Sequence, residues 1–159
     1  MRHLFSILFI ALSLTANAAG TRLFQITRSL NRNIVCYDLN LTGGGINTKN
    51  PIHVYWENHE AHPGQTSELS YVQRKMAFGY TKKSASANEA VIVLTAYPKR
   101  NVRISKRNGK WEAFVSINGK ECQLTEIYAK AKNAVTVEYI ELRGKAISDG
   151  STQKETIKP

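Results

Sequence analysis

The sequence contains few cysteines, few prolines and no recognised catalytic motif. Its 159 residues include 2 Cys and 4 Pro, which is too little cysteine for a disulfide-rich scaffold. The patterns of a nucleophile elbow, a zinc-protease helix and a phosphate-binding loop (G-x-S-x-G, H-E-x-x-H and G-x-x-x-x-G-K) are absent. The sequence therefore gives no positive sign of an enzyme and implies no cofactor. It leaves open a catalytic site assembled from residues that are distant along the chain.

Acidic residues are also scarce, whereas apolar residues are not. The chain has 22 Lys and Arg against 12 Asp and Glu, for a formal net charge of +10, and 42% of its residues are hydrophobic. That apolar fraction excludes an intrinsically disordered protein, and the length fits one domain of ~100–200 residues. The sequence predicts a single folded, basic domain.

The first 19 residues have the pattern of a secretory signal. A basic start, an apolar stretch and the small-x-small site Ala16-Asn17-Ala18 follow one another in MRHLFSILFIALSLTANAA. No later apolar run approaches the ~18 residues of a membrane helix, so the mature protein is expected to lack a transmembrane segment. We expect cleavage after residues 1–19 and export to the periplasm or the extracellular space. The expected domain spans residues 20–147, and the polar tail 148–159 is predicted to be disordered.

Apolar and polar residues alternate through most of the mature chain. Phe24 and Ile26 alternate with polar neighbours, and Ile52, Val54 and Trp56 do the same further along. Residues 67–78 break this pattern with a helical spacing of apolar side chains. The sequence predicts a mainly β fold: an antiparallel β-sandwich or flattened barrel of roughly eight strands, with one short helix inserted after the third strand.

Two Asn-Gly pairs predict two tight hairpins with a defined register. A turn at Asn108-Gly109 would set Ile104 against Ala113 and Arg103 against Phe114. A turn at Asn118-Gly119 would set Val115 against Cys122. Both registers place the apolar members on the same face of the sheet.

Three tracts carry a family resemblance. They are SLNRNIVCYDLNL, NPIHVYWENHE and ELSYVQRKMAFGY, in this order and spacing. They resemble those of domain-of-unknown-function family 4833, small secreted or periplasmic proteins of bacteria and some eukaryotes, and the resemblance is concentrated between Ile26 and Tyr80. It implies a secreted β-rich domain with no established activity, so no functional residue is carried over from it.

A run of basic residues without an acid lies between positions 98 and 110. This cationic ridge consists of Lys99, Arg100, Arg103, Lys106, Arg107 and Lys110. Its field can attract anionic envelope or extracellular polymers or lipid headgroups. The alternative is a solvated strand edge that prevents sheet-to-sheet association.

Three of the four histidines lie close together in the sequence, beside two glutamates. His53 and His59 are ~20 Å apart if the strand between them is extended, too far for one metal ion. Only Glu57, His59 and His62 could converge, and the usual zinc spacings are missing. Solvated polar side chains are the favoured interpretation, with a metal site as the alternative.

The two cysteines, Cys36 and Cys122, could pair in an oxidising compartment. The predicted strand registers oppose this, because Cys122 belongs to the core face whereas Cys36 alternates with Tyr37 and Leu39. A disulfide therefore stays open, with a structural role if it forms.

These observations favour an exported, non-enzymatic binding or interaction module that uses the cationic ridge. One alternative is a hydrolase-like or metal-dependent enzyme with a site near His53, Glu57, His59 and His62. Another is a structural envelope protein.

Overall fold

The chain folds almost entirely into β-strands, as the alternation of its residues predicts. The computed structural model describes residues 20–133 and 136–158, and 65% of the chain is strand, with one short helix. The mainly β class is thereby confirmed, whereas the predicted signal, residues 1–19, lies outside the described residues. The strands are β1 (Thr21–Arg28), β2 (Asn31–Leu39), β3 (Leu41–Thr42), β4 (Gly45–Ile46), β5 (Ile52–Glu57), β6 (Thr66–Glu68), β7 (Tyr80–Ala85), β8 (Glu89–Leu94), β9 (Tyr97–Arg107), β10 (Lys110–Ile117), β11 (Lys120–Ala131), β12 (Val137–Ala146) and β13 (Thr152–Ile157).

One curled sheet forms a half-barrel, and β11 is its centre. Along one edge β11 pairs with β12, which pairs in turn with β13. Along its other edge the first half of β11 pairs with β10 and the second half pairs in parallel with β1. Two wings therefore leave the same edge of β11: the first wing is β1-β2-β5-β6 and the second wing is β10-β9-β8-β7. The curl brings the two wings face to face.

Both predicted hairpins are present in the predicted register. Ile104 pairs with Ala113 and Arg103 with Phe114 across the first turn, and Val115 pairs with Cys122 across the second. The asparagine and glycine of each turn have positive φ, as a tight hairpin with the right-handed strand twist requires.

The core lies inside the curl and is supplied by both wings. Phe24 stacks on Tyr37 with ring centroids 4.4 Å apart in the first wing. Ile92 and Ile104 of the second wing are fully buried in the same cluster. The wings also meet through hydrogen bonds, since Tyr80 Oη donates to the carbonyl of Ile52.

The predicted helix is shorter and begins later than the sequence indicates. Helix α1 (Tyr71–Gln73) continues as a π-helical turn (Arg74–Phe78). Ser70 caps it through a reciprocal pair of hydrogen bonds with Gln73. We call α1 and the π-helical turn together the helical cover. It follows the sixth strand, whereas the sequence predicts it after the third. The sequence did not reveal β3, β4 and β6, because these short strands carry too few residues to show an alternating pattern.

The prediction of a disordered tail over residues 148–159 is wrong for most of that segment. Residues 152–157 form β13, which pairs with β12 along its whole length. Its polar composition reflects an edge strand, in which every second side chain faces solvent.

The predicted eight-strand sandwich or flattened barrel is not confirmed, since the described residues form thirteen strands, eleven of them in the curled sheet. In the described part of the chain, no helix has the length and apolar character to cross a membrane.

Candidate functional site

The cationic ridge lies on β9 and the first residue of β10, but its arginines are bound to carboxylates from other strands. The pairs are Arg100 with Glu155, Arg103 with Glu121 and Arg107 with Glu112. Of its lysines, Lys106 lies over the ring of Trp111, 4.9 Å from the centroid, while Lys99 and Lys110 form no ion pair with the described residues. The ridge is therefore less cationic than the sequence predicts, because the neighbouring strand β10 and the more distant strands β11 and β13 supply acids to it.

The histidine and glutamate group does not converge on one point. His53 Nε2 lies 2.6 Å from Glu68 Oε1. His59 Nε2 lies 2.9 Å from Glu57 Oε1 without the alignment of a hydrogen bond. The described residues contain no group of three or more His, Cys, Asp or Glu that could hold a metal ion. The alternative set Glu57, His59 and His62 is thus not assembled.

A polar cluster covers the outer face of the first wing, and Arg22 is its centre. Arg22 donates to Asp38, to Tyr55 Oη at 3.1 Å and to Glu57 Oε2 at 3.2 Å, while Tyr55 Oη donates to Asp38 at 2.7 Å. Desolvation would raise the pKa of Glu57, but the hydrogen bond and charge of Arg22 outweigh it and lower that pKa. The cluster borders a polar cavity of about 800 Å³. The carboxylates of the polar cluster, Asp38 and Glu57, both pair with Arg22 and connect strands β1, β2 and β5.

The two cysteines are buried free thiols, so the possible disulfide is absent. Cys36 faces the polar cluster, with Sγ 3.6 Å from Glu57 Oε2, whereas Cys122 belongs to the core cluster on the other face. Burial raises the pKa of Cys36 to about 12. A fully buried, protonated thiol is a poor nucleophile, which leaves the polar cluster without an activated group.

A second cavity, of about 570 Å³, opens between the helical cover and the inner face of the sheet. We call it the apolar pocket. Its lining residues are Ile26, Arg28, Leu30, Val72, Gln73, Met76, Ala77, Phe78, Leu94, Ala96, Tyr97, Ile127, Ala129, Ala131, Asn133, Thr136, Val137 and Ile140. The size and the mostly hydrophobic lining are those of a small-molecule site.

Arg28 is the one charged residue among the described residues of this lining. Its guanidinium lies over the ring of Trp56, 4.5 Å from the centroid, and Nη2 donates to Asn31 Oδ1. Nε is buried and has no hydrogen-bond partner among the described residues, and desolvation lowers the pKa of Arg28. An unpaired buried donor costs about 1–3 kcal/mol, more when it is charged. The arrangement therefore leaves an uncompensated positive charge in the wall of an apolar cavity.

The helical cover is fixed to the sheet at both ends. Trp56 Nε1 donates to Gln73 Oε1 near its start, and Tyr37 Oη donates to the carbonyl of Phe78 at its end. A Cβ at Gly79 would lie 2.0 Å from the carbonyl oxygen of Arg74, so only glycine allows the chain to leave the π-helical turn in this direction. π-helical turns occur often at functional sites.

Sequence reasoning missed the apolar pocket, although one signal was available. The alternation of Phe24 and Ile26 continues to Arg28, which places a charged side chain on the inner face of β1. The sequence could not show what lies opposite, because β12 and the helical cover come from other parts of the chain.

Comparison with known proteins gives one match. The family model described as Domain of unknown function (DUF4833) matches residues 24–156, which confirms the resemblance of the three sequence tracts. The match extends from β1 into β13 and includes both walls of the apolar pocket. The chain matches none of the curated proteins and none of the solved structures.

Proposed function

Because the chain belongs to the family described as a domain of unknown function (DUF4833), a description that carries no activity, we propose a function from geometry alone. The protein is an exported, non-enzymatic binding module, and its site is the apolar pocket. The ligand is a small amphiphile whose apolar part, such as an acyl chain, lies between the helical cover and the inner face of the sheet.

The distribution of exposed apolar side chains carries this proposal. The large hydrophobic residues exposed in the described structure are Leu30, Leu41, Tyr71, Val72, Met76 and Val137. All of them except Leu41 and Tyr71 line the apolar pocket. Val72 and Met76 lie at the mouth of the cavity and are 65% and 75% exposed. Exposure of such large apolar side chains to water is unfavourable. Clustered exposure of this kind marks a binding surface.

The other functions have less support from the geometry. Each ridge arginine holds a carboxylate, which weakens the case for an anionic polymer on the ridge. The hydrolase-like alternative would need an activated nucleophile, and the cysteine beside Glu57 is buried and protonated.

The test is binding of the neutral fluorescent probe N-phenyl-1-naphthylamine. We expect saturable binding of one probe per chain with a micromolar dissociation constant, a typical affinity for a ligand of that size. Met76→Asp places a charge at the mouth of the pocket and should weaken binding at least tenfold, a free-energy difference of about 1.4 kcal/mol.

Tyr71→Asp is the matched control. Tyr71 lies on the same helical cover and is 74% exposed, but it is not part of the pocket lining. Its substitution should leave probe binding within about twofold. Absence of saturable binding, or equal weakening by both substitutions, would show that the pocket is not a binding site.

A further inference from the structure

Arg28 indicates the chemical class of the ligand. We propose that the apolar pocket takes a long-chain monocarboxylate, whose carboxylate pairs with the Arg28 guanidinium while its alkyl chain fills the cavity. This assignment rests on the proposed function and adds the head group of the ligand to it. A carboxylate would supply the negative charge that Arg28 lacks among the described residues.

The position of Arg28 has no structural explanation within the described chain. Ile26 and Arg28 face the same side of β1, where an apolar residue would pack on the core. The guanidinium is instead held between aromatic rings, 4.5 Å from the centroid of Trp56 and 5.9 Å from that of Phe78. Aromatic faces stabilise a cation, but they cannot accept an Nε–H bond as a carboxylate does.

The other arginines of the described structure, four of them half-buried, show what this chain does with a structural guanidinium. Those that form ion pairs with a carboxylate are Arg22, Arg74, Arg100, Arg103, Arg107 and Arg143. Arg28 forms none with the described residues, and neither does Arg32. Arg32, however, is exposed, so water satisfies its donors. Arg28 is therefore the half-buried arginine without a partner carboxylate in the described structure.

The charge of the lining favours a monoanion. Arg28 is the single cation of the described lining, and the remaining lining residues are apolar or neutral. One guanidinium compensates one carboxylate, whereas a phosphomonoester would bring further negative charge against apolar walls. An acyl chain then matches the mostly hydrophobic surface formed by β1, β11, β12 and the helical cover.

The test compares three probes with the same alkyl chain and different charge: dodecanoate and dodecyltrimethylammonium, each below its critical micelle concentration, and dodecanol below its solubility limit. Isothermal titration at pH 8 should give the tightest binding for dodecanoate, at least tenfold weaker binding for dodecanol, and the weakest for the cation. Arg28→Met should remove the preference for dodecanoate over dodecanol while dodecanol still binds. Arg32→Gln removes an exposed charge from the adjacent strand and should leave the preference unchanged.

The outcomes separate this assignment from the proposed function. If the wild type binds dodecanol as tightly as dodecanoate, the pocket is a binding site but the carboxylate assignment is wrong. The assignment also fails if Arg28→Met keeps the preference, or if Arg32→Gln loses it equally. If none of the three probes binds, the proposed function itself fails.

A measurement on the wild type covers the case in which Arg28→Met does not fold. Dodecanoate labelled with ¹³C at its carboxyl group reports the ionisation of the bound ligand by NMR. A guanidinium at contact distance should lower the pKa of the bound carboxyl below that of the free acid. An equal or higher pKa in the complex would overturn the assignment.

Discussion

Replacing Glu155 by Gln should destabilise the protein measurably, although the residue lies in a segment that the sequence predicts to be a disordered tail. Glu155 Oε1 and Oε2 accept from Arg100 at 2.6 and 2.8 Å, and Oε2 also accepts from the backbone N–H of Asn118 at 2.6 Å. These contacts tie β13 to β9 and to the turn after β10. The hydrogen bond from Arg100 is the main reason that the pKa of Glu155 falls from 4.5 to about 2.

The magnitude follows from that shift. One pKa unit corresponds to about 1.4 kcal/mol, so full conversion of the shift would give an upper limit of about 3 kcal/mol. The Glu155 side chain is 21% exposed, and solvent screening reduces the contribution of such pairs. We therefore expect Glu155→Gln to lower the free energy of unfolding by about 1–2 kcal/mol at pH 7.

The pH dependence provides a second criterion. A carboxyl with a lowered folded-state pKa stabilises the protein fully above its unfolded pKa of 4.5 and loses this contribution as the pH falls towards about 2. The difference between wild type and Glu155→Gln in urea unfolding should thus be largest at pH 7 and shrink below pH 4.5. Glu138→Gln, at an exposed position of β12, is the control. A difference below about 0.5 kcal/mol at pH 7, or one that stays constant down to pH 3, would refute the reasoning.

Four further expectations follow from the structure. Tyr37→Phe should cost about 1–2 kcal/mol in urea unfolding, because the carbonyl of Phe78 loses its buried donor; a neutral effect would show that this bond is not formed. Gly79→Ala should weaken binding of N-phenyl-1-naphthylamine, since its Cβ would displace the carbonyl of Arg74; unchanged titrations would contradict this. Both thiols should resist a thiol reagent in the native protein and react only after denaturation, because both are buried; fast labelling of the native protein argues against it. Intact-mass measurement of exported protein should show the loss of residues 1–19; a mass of 17.8 kDa would mean that they are retained.

Local patterns predicted the parts of the fold that depend on neighbouring residues. The two Asn-Gly turns fixed the register of three consecutive strands, since a two-residue loop with positive φ allows only one pairing. The opposite orientation of the two cysteines also followed from alternation along each strand. In these cases the determining contacts lie within about twenty residues.

Contacts between distant segments could not be predicted in the same way. Two of the acids that neutralise the cationic ridge, Glu121 and Glu155, come from β11 and β13. The walls of the apolar pocket come from β1, β12 and the helical cover. The periodicity of each element predicts which of its faces is apolar, but not which other element packs against that face.

The parallel pairing of β1 with β11 imposes an order on folding. Gln25 pairs with Glu126, so β1 and its parallel partner are separated by about 100 residues of the chain. Until β11 has formed, the first wing lacks the strand that joins it to the second wing, and its apolar inner face is exposed to solvent and to other chains. Such long-range pairing slows folding, because the entropy of closing a large loop must be lost before the contacts form. We expect refolding to be limited by docking of the first wing onto a second wing that has already formed through its local hairpins.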